Sequence, residues 1–218
     1  MNTPGPLLVL DAQIAQYFTD VFIDDTLLTA AEKAIVAGAA KKRIRDFSTG
    51  RFCAKQALAQ FGLKNIELLR VEDKQPLWPP GFTGSISHAN DFCGAVAVNT
   101  NIFKSIGLDI EKIGSITEEM WRMLYTEQEY LLLENDFKNE QDIFAMLLFS
   151  VKESFYKLQY PLTGLFLDFT DVNLKWDGLS FIPESELLIG NNAIDLSQVR
   201  IQWLKHNDYI VSLCYILK

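Results

Sequence analysis

A segment near the middle of the chain, "SHANDFCGAVAV" (87–98), returns near its end as "KHNDYIVSLCYI" (205–216). Each holds a histidine, then a turn-prone Asn-Asp pair, then an apolar run of strand length. Each half also holds a helical stretch carrying basic residues, "GRFCAKQAL" (50–58) and "FSVKESFYKL" (149–158). A chain that repeats a helix and a hairpin in this way predicts an α+β fold. Two similar, pseudo-symmetric subdomains are expected, divided near residues 100 to 105 and taken as 1–104 and 105–218.

The 218 residues are 49% hydrophobic, which supplies enough apolar surface for one core or two small ones. The net charge of −8 argues against non-specific nucleic-acid binding as the main role. Positive charge is nonetheless concentrated in "KKRIRDF", where Lys41, Lys42, Arg43 and Arg45 crowd together. That run reads either as a solvated helix face or as a local site for a phosphate. Cys53, Cys93 and Cys214 lack close spacing and sit among apolar neighbours, as buried thiols in a reducing compartment do. The N-terminus has no signal-peptide pattern and no apolar run spans a bilayer, so a cytoplasmic protein is expected.

The stretch "AAEKAIVAGAAKKRIRDFSTGRFCAKQALAQFGL" reads mostly as helix, with Ser48 or Thr49 as a cap for a second segment and Gly62 as the stop. "VEDKQPLWPPGFTG" is loop, because three prolines and two glycines interrupt it. The strands "GSISH", "FCGAVAVN" and "SIGLDIEKI" follow. "SITEEMWRMLYTEQEYLLLENDF" and "EQDIFAMLLFSVKESFYKLQ" read as helices. In the second, Phe144, Leu147, Leu148, Val151, Phe155 and Leu158 make the core face, and Pro161 and Gly164 end it. The remainder is strand-like in "FTDVNLKW", "LSFIP", "VRIQWL" and "YIVSLCYIL".

Three constellations can carry chemistry. In "SIGLDIEKI", Ile106, Leu108 and Ile110 share one strand face, and Asp109 and Glu111 stand on the other, roughly 7 Å apart. That polar face is either wet or a place where two carboxylates meet a hard cation such as Mg²⁺. In "FSVKESFYK", Glu153 and Lys157 are one helical turn apart. They read as an ordinary ion pair, or as a cation ligand or general base beside a phosphate-neutralising lysine. In "GSISHAND", Ser87 and His88 offer a hydroxyl and an imidazole at a strand end. No Gly-rich phosphate loop, zinc pattern or catalytic triad accompanies them.

Taken in order, "FSTGRFCAKQAL", "PLWPPGFTGSISHAND", "IGLDIEKI" and "FSVKESFYK" closely resemble the 4′-phosphopantetheinyl transferases. The resemblance is greatest to the branch typified by enterobactin synthase component D and covers about residues 40 to 175. It implies transfer of the phosphopantetheine arm of coenzyme A to a serine of an apo carrier protein, with release of adenosine 3′,5′-bisphosphate. It also implies Mg²⁺, an active site in the cleft between two subdomains, and carriers of fatty-acid, polyketide or nonribosomal-peptide synthesis, siderophore synthesis among them.

By the same resemblance Asp109, Glu111 and Glu153 are Mg²⁺ ligands, with Glu153 open to a role as ligand, as the base that takes the proton of the acceptor serine, or as both. Lys157 lies at the pyrophosphate, and Lys152 either neutralises phosphate or orients the helix. Arg43, Arg51, Lys74, Ser87 and His88 hold the 3′-phosphate and adenine end. Lys74 stands where the branch commonly carries arginine, and Phe149 where many members carry tryptophan, which reads as a packing difference. The acidic net charge predicts a mainly apolar carrier contact with a few local lysines, and Met120, Trp121 and Met123 read either as that contact or as the ordinary core packing of a helix. The chain is expected to act as a monomer. The alternative is a non-catalytic paralogue that binds coenzyme A or a carrier.

Overall fold

The computed structural model describes residues 13–71, 75–184 and 194–218, which fall into two compact units, Met1–Ile106 and Gly107–Lys218. The first unit contains β1 (Ile14–Thr19), α1 (Ala30–Ile35), α2 (Lys41–Ala59), β2 (Phe82–Ala89) and β3 (Phe92–Asn99). The strand β4 (Phe103–Lys112) crosses the division. The second unit continues with α3 (Glu118–Leu124), α4 (Glu127–Asn135), α5 (Gln141–Thr163), β5 (Leu174–Trp176), β6 (Phe181–Pro183), β7 (Arg200–His206) and β8 (Tyr209–Leu217). No described helix is long and apolar enough to cross a membrane.

The repeat read in the sequence is a repeat of topology. One sheet has the order β1-β3-β2 and the other β4-β8-β7. In each, a hairpin supplies the central strand and one edge, and the strand that precedes the helices supplies the other edge. Both hairpins turn on two residues, Asn90-Asp91 and Asn207-Asp208, between the paired ends Ala89–Phe92 and His206–Tyr209. Asn90 and Asn207 both take positive φ, 49° and 52°, a backbone region that asparagine tolerates better than most side chains. The helix α2 lays Cys53, Ala54, Ala57 and Leu58 on its sheet, where Cys93, Ala95 and Ala97 are equally small and buried, so helix and sheet approach closely. In the second unit α5 packs on β8 through Leu147, Val151, Phe155 and Leu158.

Four local expectations are corrected. The helix α2 runs unbroken through Ser48 and Thr49. Both turn their hydroxyls back onto the carbonyls four residues earlier, Ile44 (2.8 Å) and Arg45 (2.9 Å), and so neither caps a new segment. The acidic stretch after β4 is two helices, because Thr126 takes an extended conformation and caps α4. Pro161 lies inside α5, and the helix ends at Gly164, which adopts φ 69°. "FTD" at 169–171 forms a short 3-10 turn in place of strand. The strand β1 escaped the sequence reading because its burial runs in pairs, with no clean alternation.

One device appears in both units. Thr29 opens α1, and its hydroxyl accepts from the Glu32 amide. The Glu32 carboxylate returns to the Thr29 amide (2.9 Å), which makes a capping box. That carboxylate is fully buried and also accepts from the Leu68 amide (2.9 Å) and the Lys55 ammonium (2.7 Å). Thr126 and Glu129 do the same for α4. Glu129, also fully buried, accepts from the Thr126 amide (2.8 Å), the Leu174 amide (2.8 Å) and the Lys152 ammonium (2.7 Å). A buried carboxylate is tolerable only when its lone pairs are filled in this way. Burial alone would raise the Glu32 carboxyl. The hydrogen bonds from Lys55, Leu68 and Thr29 outweigh it together and hold the group below its ordinary value.

A carboxylate held low in the folded state stabilises it above the unfolded pKa of about 4.3, and that contribution is lost as pH falls through the folded value. Glu32→Gln is therefore expected to lower urea-unfolding stability at pH 7 by about 2–4 kcal/mol. The difference between variant and parent should shrink as pH falls below 4.

Candidate active site

The site in the second unit begins with a glycine. Gly107 on β4 lies so close to α5 that a Cβ there would stand 1.9 Å from the Ser154 carbonyl oxygen and 2.7 Å from the Leu158 nitrogen. A side chain at 107 would hold the helix off the strand. Without one, the α5 backbone rests on β4, and the next same-face strand residue, Asp109, comes under the helix. The Lys157 ammonium reaches across to Asp109 Oδ1 at 2.7 Å. The strand face carrying Asp109 is therefore not wet, since Asp109 is 2% exposed. Ile106, Leu108 and Ile110 on the opposite face are buried as expected.

Glu111, two residues along β4 from Asp109, and Glu153, four residues before Lys157 on α5, are both half-buried. Burial and the neighbouring Asp109 and Glu153 charges push the Glu111 carboxyl up to about 7, against the pull of Lys157. Burial, then Asp109, raises Glu153 as well, again opposed by Lys157. Asp109, Glu111, Glu153 and Lys157 thus form one electrostatic cluster in which three carboxylates share a single ammonium. Lys157 reaches Asp109 on the strand as well as acting on Glu153 one turn away, so it is more than an ordinary helix pair partner. A cavity of about 260 Å³ opens beside the cluster, bordered by Glu153, Tyr156, Phe166, Leu167 and Phe169.

Lys152 and Arg51 are both buried and bonded to the fold. Lys152 is 4% exposed and gives its donors to Glu129, the Phe169 carbonyl (2.5 Å) and the Val172 carbonyl (2.9 Å). An ammonium has three donors, so none remains for a phosphate. Burial depresses its pKa against the pull of Glu129. Arg51 in the first unit is 5% exposed and donates from Nε to the Leu68 carbonyl (2.7 Å) and from Nη2 to the Leu69 carbonyl (3.2 Å). It stacks 4.5 Å over Phe47. Its first task is to tie α2 to that segment, where it helps position Glu32's partner Leu68. Burial lowers Arg51 to about 10, and the like charges of Arg43 and Arg70 add to the effect.

Arg43 and Arg70 are both exposed, so the first unit presents a basic cluster around Arg51. Arg70 went unread because only folding brings it back to α2. The strand β2 sends Ser87 and His88 to opposite faces, with Ser87 buried and His88 exposed. Lys74 lies outside the described residues. On α3, Trp121 is 3% exposed and belongs to the core, whereas Met123 is 70% exposed and Met120 intermediate. Phe149 stacks on Phe169 at 5.1 Å, a packing role.

Residues 31–98 match the 4′-phosphopantetheinyl transferase N-terminal domain, and residues 105–214 match the 4′-phosphopantetheinyl transferase superfamily. The second match alone spans half of the chain, and the chain belongs to this family. The 4′-phosphopantetheinyl transferase Svp of Streptomyces mobaraensis is 38% identical over 73% of this chain and 66% of its own length. The 4′-phosphopantetheinyl transferase Npt of Nocardia iowensis is 31% identical over 81% of this chain and 77% of its own length. Enterobactin synthase component D of Escherichia coli (strain K12) is 28% identical over 88% and 87%.

A carboxyl raised in the folded state costs stability once it must ionise, so stability falls as pH rises from about 4.3 towards 7. Glu111→Gln, which mimics the protonated group, is expected to be more stable than the parent at pH 8. The gain should be about 2 kcal/mol after discounting for partial exposure. Thermal or urea unfolding at pH 8 and pH 4.5 checks this, with no gain expected at the lower pH.

Proposed function

We propose that the chain transfers the 4′-phosphopantetheine arm of coenzyme A to a serine of an apo carrier protein and releases adenosine 3′,5′-bisphosphate. The observation that carries this reading is the cluster of Asp109, Glu111, Glu153 and Lys157, assembled across β4 and α5 in a chain of this family. In the reaction the serine hydroxyl attacks the phosphorus that bears the pantetheine. A new P–O ester forms, the P–O–P bond breaks, and the leaving diphosphate oxygen takes the electron pair. Glu153 is the group assigned to receive the serine proton. It can do so directly or through a water molecule. Lys157 is assigned to the pyrophosphate.

Among the described residues, no group of three or more His, Cys, Asp or Glu side chains is assembled to hold a metal ion by itself. Mg²⁺ does not demand such a cage ready-made, because it gives up its hydration shell reluctantly and completes its coordination with water and substrate phosphate. The donor chemistry fits, since all three acids offer hard oxygens and their mutual repulsion favours a cation beside them. Asp109, Glu111 and Glu153 are the residues assigned to it. Bound there, Mg²⁺ would supply charge neutralisation at the pyrophosphate.

The first unit's part in this reading is the 3′-phosphate, which Arg43 and Arg70 suit as exposed guanidinium groups near Arg51. The exposed Met123, with Met120 three residues before it on α3, is the apolar contact assigned to the carrier. The reading places the enzyme in the cytoplasm, where coenzyme A and apo carriers meet, acting as a monomer.

Intact-mass measurement of apo acyl carrier and peptidyl carrier proteins, incubated with the protein, coenzyme A and Mg²⁺, tests the assignment. A gain of one phosphopantetheine is expected. No gain on any carrier would leave the non-catalytic alternative. Asp109→Ala should lower the rate about 100-fold or more, the equivalent of losing several kcal/mol of charge stabilisation. Arg43→Ala should raise KM for coenzyme A more than KM for dephospho-coenzyme A, which lacks the 3′-phosphate. Equal effects would remove Arg43 from that role.

A further inference from the structure

We propose that Glu129, which lies outside the reacting cluster, is a positioning residue for Glu153 and acts through Lys152. The inference rests on the reading of Glu153 as a reacting carboxylate. Lys152 and Glu153 are consecutive on α5, and successive helical side chains leave the axis about 100° apart. Fixing the direction of one therefore fixes the other.

Lys152 is fixed on three sides, by Glu129 Oε2 at 2.7 Å, the Phe169 carbonyl at 2.5 Å and the Val172 carbonyl at 2.9 Å. Phe169 and Val172 also border the cavity beside Glu153. Glu129 holds the other end of the tie. Its second oxygen accepts from the Leu174 amide at the start of β5, and Oε2 also accepts from the Thr126 amide at the start of α4. One buried carboxylate thus joins α4, β5, the cavity wall and the turn of α5 that carries Glu153.

The first unit supplies an internal comparison. Glu32 repeats Glu129's bonds to a cap amide, a distant amide and a helix lysine, yet the residue after Lys55 is Gln56, which is not an acid. Five residues past Lys152, Lys157 donates to Asp109 on β4. Five residues past Lys55, Gln60 donates to the Gln16 carbonyl on β1 (2.7 Å). The scaffold is common to both units, and the ionisable groups stand in one.

The test compares Glu129→Gln, Glu32→Gln and Glu153→Gln, with coenzyme A, Mg²⁺ and apo acyl carrier protein as substrates. Backbone hydrogen exchange is followed at residues 150–157 in the protein without substrates. Glu129→Gln is expected to lower kcat about 10- to 100-fold, the cost of misplacing a reacting group by about 1 Å. KM for coenzyme A should stay within about twofold, and exchange at 150–157 should quicken. Glu32→Gln is expected to lower the melting temperature but to keep kcat within about twofold at 20 °C and to leave exchange at 150–157 unchanged.

If Glu129→Gln keeps the parent kcat while Glu153→Gln is inactive, the positioning role is overturned. Equal kcat losses in Glu129→Gln and Glu32→Gln overturn it too, since both would then reflect stability alone. An active Glu153→Gln overturns the underlying reading of the site instead. Should Glu129→Gln fail to fold, Glu129→Gln with Lys152→Met removes both buried charges together and carries the same expectations, and a parental kcat there overturns the proposal.

Discussion

The buried glutamate under a helix cap is the interaction on which each unit depends. A capping-box glutamate usually sits at the surface and satisfies one backbone amide. Here Glu32 and Glu129 are fully buried, and each gathers two backbone amides and a lysine from the long helix. Charge taken out of water must be met by donors at fixed positions, or the structure that buries it loses several kcal/mol. Packing alone would allow the long helix to slide or rotate on its sheet. The carboxylate selects one placement, because only there do all its donors arrive together.

The duplication separates scaffold from chemistry. Both units share strand order, hairpin turn and buried Glu–Lys tie. In the first, the long helix closes onto its edge strand with an amide, Gln60 to the Gln16 carbonyl. In the second, the same reach is made by Lys157 onto Asp109. Exchanging a neutral contact for a charged one is what creates the charged cluster of the second unit. The first unit retains a different charge, the exposed Arg43 and Arg70 about a buried Arg51 that serves the fold.

The second unit's cluster is strained electrostatically. Burial and mutual repulsion raise Glu111 and Glu153, and Lys157 offsets only part of this. Such an arrangement lowers the stability of the folded chain near neutral pH and makes the site receptive to added positive charge. It accords with the general tendency of functional sites to gather shifted ionisable groups.

Sequence alone determined the two-part α+β organisation, the hairpins, the core face of α5 and the candidates Asp109, Glu111, Glu153 and Lys157. These are local properties, set by periodicity, turn chemistry and motif order. The two Thr-x-x-Glu caps at Thr29–Glu32 and Thr126–Glu129 follow a local pattern that the sequence reading passed over, and nothing local shows that their carboxylates are buried. Only the tertiary structure decided that Lys152 spends its donors on the fold, that Arg51 ties α2 to Leu68 and Leu69, that Arg70 comes back to α2, and that Asp109 is covered by a helix. It also decided that Gly107 is needed for contact with α5. The reason is physical: a side chain's partners are set by residues tens of positions away, and its charge acts only on the groups that packing brings near.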